Sequence, residues 1–207
     1  CIRDRKRRGK EIEERITALR SALSGEPFVW RGRRIHVQPK PASTGGPVIA
    51  YGGGSKAAAE RAARLGMMFF PQTTDPMMAV FYDEEAERVG NPTGLTMGPS
   101  QGAPTTVFLA ESLDQGWEQF GPYMLHDAVS YRGWMGKDNN SASLSQASSV
   151  AELREENGPY RIVTPKQAVE LIKTYQTLSL QPLCGGVPPD LAWSSLSLIE
   201  KQVLPFC

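Results

Sequence analysis

The stretch Val48-Ile49-Ala50-Tyr51-Gly52-Gly53-Gly54-Ser55-Lys56-Ala57-Ala58-Ala59-Glu60-Arg61-Ala62-Ala63 decides the fold class. Its first four residues form a short apolar run bounded by Pro47 and Gly52, as expected of a buried strand. Its alanines then give a helix small enough to lie close on a sheet. A second strand is predicted at Met67 to Phe70, directly after Gly66. Strand, helix and strand at this spacing make a βαβ unit, because parallel neighbours need a crossover. The join at Gly52, Gly53, Gly54 and Ser55 brings backbone N–H groups together at the positive end of a helix dipole, where an anion fits. Ser55 can cap the helix or donate to a phosphate oxygen, and Lys56 and Arg61 add positive charge. The turn lacks the Gly-Lys-Ser/Thr of a Walker A loop, and Ala57 replaces the last glycine of Gly-x-Gly-x-x-Gly. By itself it reads either as a phosphate-binding turn or as a tight structural one.

Upstream of this unit, Ile12, Ile16, Leu19, Ala22 and Leu23 recur at helical spacing from Lys10 to Leu23, with Gly25 as the stop. Phe28 to Trp30 and Ile35 to Val37, joined by Arg31-Gly32-Arg33, read as a β-hairpin. Downstream, Asp75-Pro76 starts a helix over Met77 to Val89. A third strand is predicted at Thr105 to Ala110, with a helix from Ser112. Residues 129–158 then interrupt the rhythm. Their low-periodicity part, Tyr131 to Gly158, contains Gly136-Lys137-Asp138-Asn139-Asn140 and a Ser/Ala stretch, and reads as a mobile loop insertion. Thr164-Pro165 caps another helix, Leu178 to Leu183 is the fourth predicted strand, and Pro189 to Leu204 the last helix. Four short parallel strands alternating with helices predict one α/β domain over residues 1–207, half of a (β/α)8 barrel. A small doubly wound sheet is the alternative. The opening Cys1, in place of methionine, agrees with a fragment carrying the last four βα units.

The 207 residues are 40% hydrophobic and 22% charged, ordinary for a globular chain. A net charge of +1 gives no reason to expect nucleic acid or an anionic membrane as partner. The basic run Arg3 to Lys10 reads as a solvated helix face. No apolar stretch approaches the roughly 20 residues that cross a bilayer. Three scattered cysteines, Cys1, Cys184 and Cys207, supply neither a disulfide framework nor a zinc motif, which fits a reducing cytoplasm.

Several ordered motifs resemble the luciferase-like flavin-dependent oxidoreductases and monooxygenases. They are Gly25-Glu26-Pro27-Phe28, Trp30-Arg31-Gly32-Arg33, Pro39-Lys40-Pro41, Pro47 through Ser55, Ala62-Ala63-Arg64-Leu65-Gly66, Thr164-Pro165-Lys166-Gln167-Ala168-Val169 and Ser195-Leu196 to Val203-Leu204-Pro205. The resemblance implies the C-terminal half of a (β/α)8 TIM barrel. It implies reduced FMN or, alternatively, the deazaflavin F420, its phosphate held by backbone amides at Gly52, Gly53, Gly54 and Ser55. The family's Gly-Asp-Gly is here Gly66-Met67-Met68, which removes a carboxylate. A small organic substrate and a flavin reductase or F420 reductase supplying reduced cofactor are the implied partners, and the two uncovered sheet edges and apolar interior of a half barrel predict a homo-oligomer, aggregation or pairing with the missing half. Catalytic residues are expected upstream of Cys1. A non-catalytic, barrel-derived binding protein is the competing reading.

Cys184 and Gly185 follow the last predicted strand, where a barrel would bring them near the flavin ring. A buried small thiol and a plain turn are the alternatives. His36 and His126 have no partner at metal or triad spacing, so no metal site is expected. Trp117, Phe120, Tyr123, Tyr131 and Trp134 read as packing residues, and the pairs Glu84-Glu85 and Glu155-Glu156 as solvated ones.

Overall fold

The computed structural model describes residues 5–43, 46–135 and 140–207. Helix α1 (Arg5–Leu23) leads into the hairpin β1 (Phe28–Trp30) and β2 (Arg33–Ile35), whose Val29 pairs with Arg34. Next come β3 (Ala50–Gly53), α2 (Lys56–Arg64), β4 (Met68–Pro71) and α3 (Met77–Val89). β3 and β4 are parallel, with Tyr51 opposite Phe69 and Gly52 opposite Phe70. Thr96 extends the pair by one parallel bridge to Phe69.

One face of this sheet is covered by α2 and α3. Ala59, Ala62 and Ala63 are fully buried against Phe69 and Tyr82, and the Tyr82 hydroxyl donates to the Met67 carbonyl at 2.9 Å. The other face is bare. Ala50 and Gly52 are exposed there, and Phe70 is 48% exposed. Parallel sheets ordinarily bury both faces, so this face is built to be covered.

The second half centres on β5 (Thr106–Leu109), parallel to β6 (Tyr160–Val163), with Val107 opposite Arg161. Helices α4 (Leu113–Met135) and α5 (Val150–Glu156) cover one face through Phe108, Phe120, Met124 and Leu153. Helices α6 (Pro165–Tyr175) and α7 (Pro189–Gln202) cover the other through Val107, Leu109, Val163 and Ile199. A Cβ on Gly116 would lie 2.7 Å from both Ala110 and Ile162, so the glycine sets how closely α4 approaches this sheet. The Ser195 hydroxyl, from α7, accepts the Leu109 N–H at 2.8 Å.

Three expectations change. The fourth parallel-paired strand is Tyr160–Val163, not Leu178 to Leu183, of which only Leu180 bridges to Val107. Pro182 can donate nothing to a ladder, and the chain turns into a short 3-10 helix at Cys184–Gly186. The strands also do not form one four-stranded curve. Among the described residues they are two hydrogen-bonded pairs, one covered on a single face and one on both. Finally, the low-periodicity stretch is largely folded: α4 continues to Met135, α5 closes the segment, and Ser145, Ala147 and Leu153 are buried. Gly136 to Asn139 lie outside the described residues.

Helix α3 has its expected bounds, α1 starts five residues before Lys10, and the hairpin forms with its second strand two residues earlier than expected, at Arg33–Ile35 and not Ile35 to Val37. Gly90, at φ 74°, ends α3, and a capping box between Thr164 and Gln167 starts α6. Among the described residues no helix is long and apolar enough to cross a membrane.

Candidate functional site

Gly52 and Gly53 end β3, Gly54 bridges, and Ser55 is the N-cap of α2, its hydroxyl accepting the Ala58 N–H at 3.3 Å. Among the described residues its own proton meets no acceptor. The N–H groups of Gly54, Ser55, Lys56 and Ala57 find no acceptor among the described residues, leaving four donors at a helix N-terminus. A Cβ on Gly53 would lie 2.5 Å from that of Ala58, and one on Gly54 would lie 2.8 Å from the Gln72 side chain. Neither glycine has a positive φ. They are required by close approach, not by backbone strain. The cradle therefore fits an anion held by amides.

The cations nearby are committed elsewhere. Arg61 donates to Glu13 at 2.9 Å and to the Tyr51 hydroxyl at 3.4 Å. Burial works against its charge, but these two partners outweigh it and hold its pKa above the ordinary value. Lys56 lies 3.8 Å from Glu60 and sits over the Phe81 ring at 4.7 Å. An anion at this turn would therefore depend on backbone donors and the helix dipole.

Sequence reasoning missed what crosses the turn. Asn140, from the stretch read as an insertion, donates its side-chain amide to the Gly54 carbonyl at 2.8 Å, and the Ala142 N–H donates to the Gln72 carbonyl at 2.8 Å. This strap is anchored behind by Tyr131 and Ser141, whose hydroxyls lie 2.8 Å apart, and by Arg132 donating to the carbonyls of Ser145 and Ala147. Ser145 in turn donates to Glu156 at 2.5 Å, so this exposed carboxylate is also an anchor of the strap.

Cys184 and Gly185 are placed in the other half of the molecule. Cys184 is buried in the α4–α5 cluster. Burial pushes its thiol up to about 12, with the neighbouring Asp127 charge adding to the shift. Asp127 also accepts from the Tyr160 hydroxyl at 2.8 Å, and burial first and Asp127 second raise that phenol. Gly185, at φ 60°, meets the Tyr123 carbonyl so closely that no Cβ fits. Both residues pack against α4. A cavity of about 830 Å³ between Arg20, Lys40, Val48, Ile49, Met67 and Met68 lies at the opposite, N-terminal end of β3 and β4 from the turn. Among the described residues no group of three metal-ligating side chains occurs.

Parallel strands joined by helices, with glycines opening the first crossover helix at the carboxyl end of β3, define an α/β protein. The sequence profile of the luciferase-like monooxygenases matches residues 3–181, and the chain belongs to that family. No curated protein matches the sequence. Solved structures resemble it. One is the long-chain alkane monooxygenase LadA, with TM-score 0.55, 14% identity, and 98% of this chain covering 58% of that one. Another is the oxygenating constituent of 3,6-diketocamphane monooxygenase from Pseudomonas putida in complex with FMN, with TM-score 0.58, 16% identity, and 99% of this chain covering 65% of that one. A third is the coenzyme F420-dependent tetrahydromethanopterin reductase of Methanopyrus kandleri, with TM-score 0.51, 13% identity, and 95% of this chain covering 62% of that one. At these identities the likeness is one of fold. The chain spans less than two thirds of the length of each.

Proposed function

We propose that this chain is the cofactor-phosphate-binding part of a flavin-dependent monooxygenase, acting with reduced FMN on a small organic substrate. The observation that carries the reading is the set of four N–H groups at Gly54 to Ala57 without an acceptor among the described residues, at the carboxyl end of a parallel sheet in a luciferase-like chain. Gly52, Gly53, Gly54 and Ser55 would hold the phosphate by backbone donors and the Ser55 hydroxyl. When bound, the reduced flavin supplies the electrons for oxygen or hydride chemistry. The bare face at Ala50, Gly52 and Phe70 supports a partial barrel, since closing strands on that side would bury it. Cys184 and Gly185, packed on α4, have structural parts in this reading. A homo-oligomer, a reductase partner and a cytoplasmic setting belong to the same proposal.

F420 is the second reading, favoured by the likeness to an F420-dependent reductase. The test is titration of the chain with FMN and riboflavin, which differ only in the phosphate, followed by flavin fluorescence. FMN should bind about tenfold or more tightly than riboflavin, about 1.4 kcal/mol. In Gly54→Val, folded by circular dichroism, that preference should disappear. Equal affinities in the unaltered chain would refute the phosphate turn.

A further inference from the structure

The cavity of about 830 Å³ at the amino ends of β3 and β4 plays no part in the phosphate reading, because the glycine turn lies at the other end of both strands. Its volume falls within the roughly 300–1,000 Å³ of small-molecule sites. Leu23 from α1, Ile49 before β3, Met67 before β4 and Leu95 from the loop after α3 give it an apolar lining. Arg20 and Lys40 also line it, and among the described residues no aspartate or glutamate does. Arg15, Arg61 and Arg64 each meet a glutamate, whereas the Arg20 and Lys40 side chains have no ion pair or hydrogen bond among the described residues. Lys40 is held in place as well. Gly25 is buried at φ 76°, and a Cβ there would lie 2.6 Å from that of Lys40, so the bare glycine lets the lysine stem lie against the turn after α1. Gln38 donates to the Gly25 carbonyl at 3.1 Å, which ties the segment carrying Lys40 to the end of the helix carrying Arg20.

We infer that this cavity binds an organic carboxylate with an apolar body, at a site separate from the glycine turn. Arginine and lysine give a carboxylate charge-assisted hydrogen bonds, and with no acid in the lining the head group meets no repulsion. The apolar lining takes the body, each methylene removed from water raising affinity by up to about fourfold. Two cations beside an apolar wall thus select against both a neutral ligand, which leaves the charges unused, and a small ion, which leaves the wall wet. The inference stands apart from the phosphate reading, and either can fail without the other.

The experiment is calorimetric titration of the 207-residue chain with octanoate, octanol and acetate, repeated in Arg20→Gln and in Lys40→Met, which keeps an unbranched stem beside Gly25. Both positions are exposed, and circular dichroism checks the fold. Octanoate should bind about tenfold tighter than octanol and at least about thirtyfold tighter than acetate. In each variant its affinity should fall about threefold or more, while that of octanol stays within about twofold. Octanol bound as tightly as octanoate would overturn the carboxylate, and acetate bound as tightly would overturn the apolar body. Octanoate affinity unchanged in both variants, or no octanoate bound, would overturn the site itself.

Discussion

Asn140 and Gly54, 86 residues apart, are joined by a hydrogen bond of 2.8 Å from the asparagine amide to the glycine carbonyl. Through it the segment between α4 and α5 borders the glycine turn after β3, and a stretch without periodicity acquires a fixed place in the fold. The same turn makes a sharp demand on its glycines, which leads to the first expectation.

Gly53→Val puts a branched side chain where a single Cβ already lies 2.5 Å from that of Ala58. Because Ala58 is on the first turn of α2, the helix must move off the sheet. A loss of about 1–3 kcal/mol is expected, the usual cost of overpacking. Urea unfolding followed by circular dichroism measures it, and an unchanged midpoint would mean that α2 does not sit this close to β3.

Ser195→Ala removes the acceptor of the buried Leu109 N–H. The strand β5 is buried on both faces, so water cannot replace the hydroxyl without entering the core. Destabilisation by about 1–3 kcal/mol should follow, since an unpaired buried donor costs its full desolvation. Hydrogen exchange at the Leu109 amide should also accelerate, which separates this cause from a general loosening of α7.

Glu85 accepts from Arg88 and from Arg64, and the two guanidiniums, Arg88 foremost, hold its carboxyl down to about 2 from an ordinary 4.5. A depressed folded pKa means that the unfolded chain takes up the proton first. The contribution is present above pH 4.5 and is lost as pH falls towards 2. Glu85→Gln should therefore flatten the fall in melting temperature across that window and leave its slope near neutral pH unchanged. Parallel melting curves for the two proteins between those limits would count against the ion pair.

Cys184 is buried and its thiol is pushed up to about 12, so at about pH 8 it stays protonated and out of reach. Cys207 is exposed. In a protein carrying Cys1→Ser and Cys207→Ser, a thiol reagent should label Cys184 only after denaturant is added. Rapid labelling of the native protein would place the thiol at an accessible surface instead.

The parts of the fold legible from sequence are those set by neighbours in the chain. The alanines between Lys56 and Ala63 and the cap at Ser55 specify α2, Thr164 and Gln167 specify the start of α6, and Gly90 the end of α3. Strand β6 escaped notice because its four residues, Tyr160–Val163, follow directly on the low-periodicity segment, and four residues give too short an alternation to detect. Leu178 to Leu183 misled for the opposite reason: it has strand-like composition, but Pro182 and the turn at Cys184 leave only Leu180 in register. The partners of Asp127, Tyr160 and Cys184 lie on three separate elements, and no spacing rule joins them.

The sequence by itself determined the strand, glycine turn and helix from Ala50 to Arg64, because each depends on φ/ψ preferences, capping and side-chain size within a few residues. The ordered motifs around it also carried the family. Only the tertiary structure decided which faces are covered, that the strands pair two by two, that Arg61 is bound to Glu13, and that Asn140 closes on Gly54. Those are contacts between residues far apart in the chain. They follow from how whole elements pack, so the local pattern that builds each element cannot encode its partner.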